Sequence, residues 1–176
     1  MSASSPHRKR EPESVWDYPR PPALVPTTAH LRVLHAEPDA NGQEVVVADT
    51  CKGLRVLETS HPPTYYFPPE DVQMCLLREN PKQTFCEWKG HASYYDLVHP
   101  ASNTASKAVA WTYKSPSDQN KALANHVAFY PGGPLRCFVD DEEVTAQDGN
   151  FYGGWKTSEI SGGKKGMKGG PGTLGW

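Results

Sequence analysis

A carboxylate and an imidazole stand three residues apart in Glu58-Thr59-Ser60-His61, just ahead of an aromatic run framed by Pro62-Pro63 and Pro68-Pro69. The prolines fix φ on both sides of Thr64-Tyr65-Tyr66-Phe67, whose β-branched and aromatic residues favour a short strand. Upstream, Leu54, Val56 and Glu58 share one face of a strand because side chains alternate, while Arg55 and Thr59 mark the wetter side. If Leu54 and Val56 point inward, so does Glu58, and a carboxylate short of water serves as a proton donor or acceptor near neutral pH. His61 is placed to fold back on it as an orienting or proton-relay partner. Tyr65 and Tyr66 point to opposite sides, so one at most faces a cavity, where its phenol would donate to a developing oxyanion. The plainer alternative is a strand-end glutamate paired with Arg55 or Arg136, a loop histidine and two half-buried tyrosines.

A second cluster is Cys86-Glu87-Trp88-Lys89-Gly90-His91. A Cys86 thiolate would need a cation or imidazole within hydrogen-bond reach, so a buried, inert thiol is the simpler expectation. Lys89 at a turn tip is a candidate anion anchor. Trp111 and Tyr113 lie on one face of Ala108-Val109-Ala110-Trp111-Thr112-Tyr113 and are candidate walls of a ligand cavity, with Trp88 and Tyr94 beside them. No His-x-His or His-Glu-x-x-His pair occurs, and none of the four cysteines stands in a Cys-x-x-Cys pair, so neither metal nor cofactor is expected.

These residues need a scaffold, and 176 residues make one domain. Pro 17 and Gly 15 with 37% hydrophobic residues point to many turns around a modest core. Leu31–His35 and Glu44–Asp49 flank Asn41-Gly42, a strong hairpin signal, and Leu54–Glu58 continues as a third strand. Pro69-Glu70-Asp71 opens an expected helix carrying Val72, Cys75 and Leu76 on its buried face and stopped by Asn80-Pro81. Thr84–Trp88 and His91–Leu97 form a second hairpin around Lys89-Gly90, with Cys86 and Trp88 on one strand face. A short helix is expected over 117–124, and His126–Tyr130 pairs with Leu135–Val139 around Pro131-Gly132-Gly133-Pro134. The expected class is mainly β, as a twisted sheet pair or a partly open barrel with one or two short helices.

Residues 1–14 are polar and basic and read as a disordered lead. Residues 15–148 form the β domain, including an aromatic and proline-rich arm from Trp16 to Pro22. Residues 149–176 form a Gly/Lys/aromatic tail expected to pack on that domain. The charge of −2 gives no bulk reason to bind nucleic acid or anionic lipid, no apolar run reaches membrane-spanning length, and the first ten residues lack a signal-peptide core. A cytoplasmic protein is expected. Its partner would be a small-molecule ligand or substrate, with a homodimer as a further candidate.

The stretch Glu58–Val72 resembles the signature of the family called domain of unknown function 427. So do Cys86-Glu87-Trp88-Lys89-Gly90-His91-Ala92-Ser93-Tyr94-Tyr95, Ala110-Trp111-Thr112-Tyr113 and Val127-Ala128-Phe129-Tyr130-Pro131. The resemblance runs from about Trp16 to Trp176 and departs from the pattern at Ser161-Gly162-Gly163-Lys164-Lys165. It implies a compact, tent-like β fold similar to that of methionine-R-sulfoxide reductases, here without their zinc cysteines. A nucleotidyltransferase-like label attached to the family does not fit, since the chain has no Gly-Ser segment followed by an Asp-x-Asp pair. The residues then suggest an enzyme without a redox cofactor, working by dehydration, isomerisation or cyclisation: Glu58 transfers the proton, His61 assists, and Tyr65 or Tyr66 holds the oxyanion. Its rivals are a non-catalytic binding module and an interaction protein acting through its tails.

Overall fold

The computed structural model describes residues 9–176. Two short pieces come first, β1 (Glu13–Ser14) and β2 (Ala23–Pro26). The Asn41-Gly42 signal then makes its hairpin: β3 (Leu31–His35) and β4 (Val46–Thr50) pair antiparallel. Asp39 Oδ1 accepts the N–H groups of Asn41 and Gln43 in the turn, and Gly42 takes the left-handed conformation that turn needs. β5 (Leu54–Leu57) leaves this hairpin and pairs with β2 and with β6 (Thr64–Tyr66) in a separate sheet of order β2–β5–β6.

The expected helix after Pro69 is absent. Its place is taken by two three-residue 3-10 turns, Pro69–Asp71 and Met74–Leu76, followed directly by β7 (Leu77–Cys86). One turn of apolar spacing did not outweigh the sheet: Val72 bridges to Ala48, and the Gln73 N–H donates to the Val47 carbonyl instead of closing a helical ring. Pro81 does not end an element either. It sits at the bulge between Asn80 and Gln83 on an edge strand, where a missing N–H costs no ladder bond.

β7 turns through Glu87–Lys89 into β8 (Gly90–Val98), which pairs with β9 (Ala105–Thr112). The short helix is a 3-10 segment, Asp118–Leu123. β10 (Val127–Phe129) completes the sheet β10–β9–β8–β7. β11 (Leu135–Val139) therefore does not pair with β10; it adds to β3 and to β12 (Glu142–Glu143), so Pro131–Pro134 carries the chain between sheets. Small pairs end the chain: β13 (Thr145–Ala146) with β14 (Trp155–Lys156), and β15 (Ile160–Ser161) parallel to β1. The fold is mainly β, in several sheets that do not close into a barrel. No helix among the described residues is long and apolar enough to cross a membrane.

The β7–β10 sheet is covered on both faces. Tyr95, Leu97 and Ala110 face the main core with Leu31, Val33, Phe67, Phe129 and Trp155. Their neighbours Ala92, Tyr94 and Trp111 face the other way, towards Val56, Tyr66, Tyr113 and Leu123. Of the expected lead, residues 1–8 lie outside the described residues, but the segment after them is held rather than loose. The Arg10 guanidinium meets Glu159, Asp140 and Glu142, and β1 follows. The Trp16 indole N–H donates to the Gly166 carbonyl, and its ring meets Trp176 edge-on at 5.2 Å.

Candidate functional site

Strand alternation fixes which side of the β5–β6 ribbon holds the candidate chemistry. Leu54 pairs with Tyr66 and Val56 with Thr64, and Val56, Thr64 and Tyr66 all face one cavity of about 250 Å³. Glu58 follows β5 on the same face and reaches the mouth of this cavity. Its depth differs from the expectation: the side chain remains 41% exposed, so water reaches the carboxylate. It pairs with neither of the arginines offered as alternatives, since Arg55 binds Glu13 and Arg136 binds Glu143.

The chain turns back at Ser60, a non-glycine residue in the left-handed region (φ 73), and the His61 N–H donates to the Glu58 carbonyl at 3.0 Å. This brings His61 Nε2 to 3.8 Å from Glu58 Oε1. His61 is the dewatered member of the pair, with 11% of its side chain exposed. Burial first, then the positive charges of Lys168, Lys89 and Arg20, push its pKa down to about 4, so it is a neutral imidazole at neutral pH. Gln147 sets the tautomer. Its Oε1 accepts the Gly154 N–H at 3.1 Å, and its Nε2 donates to the Lys168 carbonyl at 2.6 Å and to His61 Nδ1 at 3.3 Å. Nδ1 is thus an acceptor, and the ring proton sits on Nε2, towards Glu58 and the cavity.

Tyr66 is the tyrosine that faces the cavity. It is fully buried, accepts the Trp111 indole N–H at 3.3 Å, and burial holds its phenol well above the ordinary range, so it stays a proton-bearing donor. Tyr65 points to the opposite side, under the Arg55 guanidinium, and its phenol is pushed up to about 12 by burial. It belongs to no shared site with Glu58. Cys86, Lys89, Tyr94, Trp111 and Tyr113 all line the cavity, and Cys86 is only partly buried. Trp88 does not: it lies in the turn after β7 instead of on the Cys86 face, its carbonyl capped by Ser117 and Asn120. Its ring lies 5.9 Å from Lys89 Nζ.

Several wall residues were not anticipated. Tyr130, Gln147, Tyr152 and Lys168 complete the cavity, three of them from the segment after β13. The Gly153-Gly154 pair is the feature of the sequence that marks this wall. A Cβ on Gly153 would fall 2.1 Å from the Trp111 ring, and one on Gly154 would fall 2.5 Å from Gln147 Oε1. Only glycine lets this segment lie so close to the cavity wall. Backbone bonds anchor it, Trp155 N–H to Pro63 and Lys168 N–H to Ser60.

The model of a family described as a domain of unknown function (DUF427) matches residues 23–145. The chain belongs to the DUF427 family. No curated protein matches it. The DUF427 match contains Glu58, His61, Tyr66, Lys89 and Trp111, whereas Gln147, Tyr152, Gly153 and Lys168 come from beyond it. Among the described residues, no group of three or more His, Cys, Asp or Glu side chains is placed to hold a metal ion.

Proposed function

We propose that this DUF427 protein carries out acid–base chemistry, of the dehydratase, isomerase or cyclase type, on a small organic molecule held in the aromatic cavity. The observation that carries this reading is convergence: Glu58, His61 and the Tyr66 phenol open into one cavity walled by Trp111 and Tyr113. Glu58 at the mouth moves the proton. His61 Nε2–H orients that carboxylate or holds a substrate oxygen, and Tyr66 donates to the charge that develops on the reacting carbonyl. No redox cofactor enters this scheme. We place the reaction in the cytoplasm, in keeping with four cysteines that all stand as free thiols.

The half-exposed Glu58 favours a second reading, a cavity that binds its ligand without turning it over. One substitution separates the two. Metabolites that raise the melting temperature are incubated with wild type and with Glu58→Gln. Loss of a general base lowers turnover by about 100-fold or more while the ligand still binds, and stability shifts by no more than about 0.5 kcal/mol because the side chain is partly in water. Unchanged turnover in the variant removes the catalytic role of Glu58.

A further inference from the structure

The cavity carries an uneven balance of charge. Lys89 and Lys168 line it, Glu58 is the one carboxylate among its described lining side chains, and His61 is neutral, so these side chains carry two positive charges against one negative. The two ammonium groups are not equivalent. Lys168 Nζ donates to a terminal carboxylate oxygen of Trp176 at 2.9 Å and lies 5.4 Å from the centre of the Tyr152 ring. Lys89 Nζ lies near two rings, Tyr113 at 5.6 Å and Trp88 at 5.9 Å, and no carboxylate of the described residues pairs with it. Lys107, Lys114, Lys121 and Lys156 elsewhere on the surface each meet an acid.

Three chemistries compete for such a site. A cationic ligand would seek the aromatic faces, but the ammonium groups of Lys89 and Lys168 already lie near the Tyr113 and Tyr152 rings and would repel it. A phosphate ester is ordinarily met by an arginine fork or by the N-terminus of a helix, and among the described residues the lining contains neither. A singly charged carboxylate needs only one ammonium and a neutral donor, which Lys89 Nζ and His61 Nε2–H supply. The volume, about 250 Å³, lies under the ~300–1,000 Å³ usual for drug-sized ligands, so the body is small. Walls of Trp111, Tyr113 and Tyr130 favour a flat one.

Resting on the reading of this cavity as a ligand site, we propose that its ligand is a small, flat monocarboxylate, with the anionic end at Lys89 Nζ and the conjugated body against the Trp111 and Tyr113 rings. The test is calorimetric titration with benzoate and trans-cinnamate, their neutral amides, phenyl phosphate and phenethylamine. At least one acid should bind tenfold or more tightly than its amide. Raising salt from about 50 to 500 mM should weaken the acid alone, because screening acts on charge. Lys89→Met should bring the acid down to the level of its amide and leave the amide unchanged. An amide within twofold of its acid, tighter binding of the phosphate or the amine, or equal losses for acid and amide in Lys89→Met would overturn the carboxylate assignment while leaving a ligand cavity in place. Binding by no probe of any charge would remove the cavity reading, and this assignment with it.

Discussion

The two sides of the β5–β6 ribbon are built from the same kinds of residue and do opposite things. On the Tyr65 side, charges are answered within the chain: the Arg55 fork takes both oxygens of Glu13, Tyr18 donates to Glu13 at 2.5 Å, and Arg10 gathers Glu159, Asp140 and Glu142. That network ties the segment before β2 and the segment after β14 to the body. On the Tyr66 side, among the described residues, Lys89 has no acid, His61 Nε2–H comes no nearer than 3.8 Å to Glu58, and the Glu58 side chain is half in water. Buried polar groups that satisfy each other hold a fold together, whereas groups left open beside a cavity are placed for a ligand.

The sharpest way to break this contrast is to unpair the Tyr65 side. Arg55→Ala leaves Glu13 without its fork and uncovers Tyr65, and should cost about 3 kcal/mol in urea unfolding. Ligand affinity at the cavity, measured well below the melting temperature, should stay the same. A variant as stable as wild type would mean that the network is ornamental.

Acid probes the open side. Because His61 has a lower pKa folded than unfolded, the unfolded chain binds more protons between the ordinary value of 6.5 and about 4. Stability contributed by the neutral ring is therefore whole above pH 6.5 and drains away as the pH falls to about 4, by up to roughly 3 kcal/mol. His61→Gln should flatten that part of the profile, whereas a wild-type profile level from pH 7 to 5 would contradict a buried neutral ring. Next in size is Gly153→Ala, which drives a methyl into Trp111 and should cost about 2 kcal/mol and weaken ligand binding together. Loss of stability without loss of binding would show that the tail segment is no part of the wall. Smallest is the tyrosine pair. Tyr66→Phe removes the acceptor of the buried Trp111 N–H and should cost about 1 kcal/mol with weaker ligand binding, while Tyr65→Phe leaves binding unchanged. Equal effects on binding would mean that the ribbon does not separate two environments.

What could be read from the chain itself was local. Alternation put Val56 and Glu58 on one face and sent Tyr65 and Tyr66 apart, and turn residues located both hairpins. Depth was not local. Glu58 follows the inward face, but the cavity it meets is completed by Tyr152 and Lys168, which arrive from more than ninety residues downstream. Gln147 fixes the His61 proton from 86 positions away, and no spacing rule links the two. The false helix failed for a related reason, since Val72 and Gln73 took their partners from β4, a strand some twenty-five residues upstream. Trp88 was misplaced by a shorter error, a three-residue turn where two residues were expected, which moved it off the face of Cys86.

Tyr94 and Trp111 stand opposite each other on β8 and β9, and the next pair along, Tyr95 and Ala110, belongs to the main core. Just beyond them the ladder shifts at a bulge, where the buried Asp96 carboxylate takes bonds from Asn80, Lys107 and the Ala108 N–H. Slippage by a single residue would exchange the two sets, and that acid acts as the latch against it. With the latch in place, Tyr94 at the cavity and Tyr95 in the main core answer to separate demands. Mutation can recut the pocket for a different guest while the hydrophobic interior, one residue away along the same backbone, is left untouched.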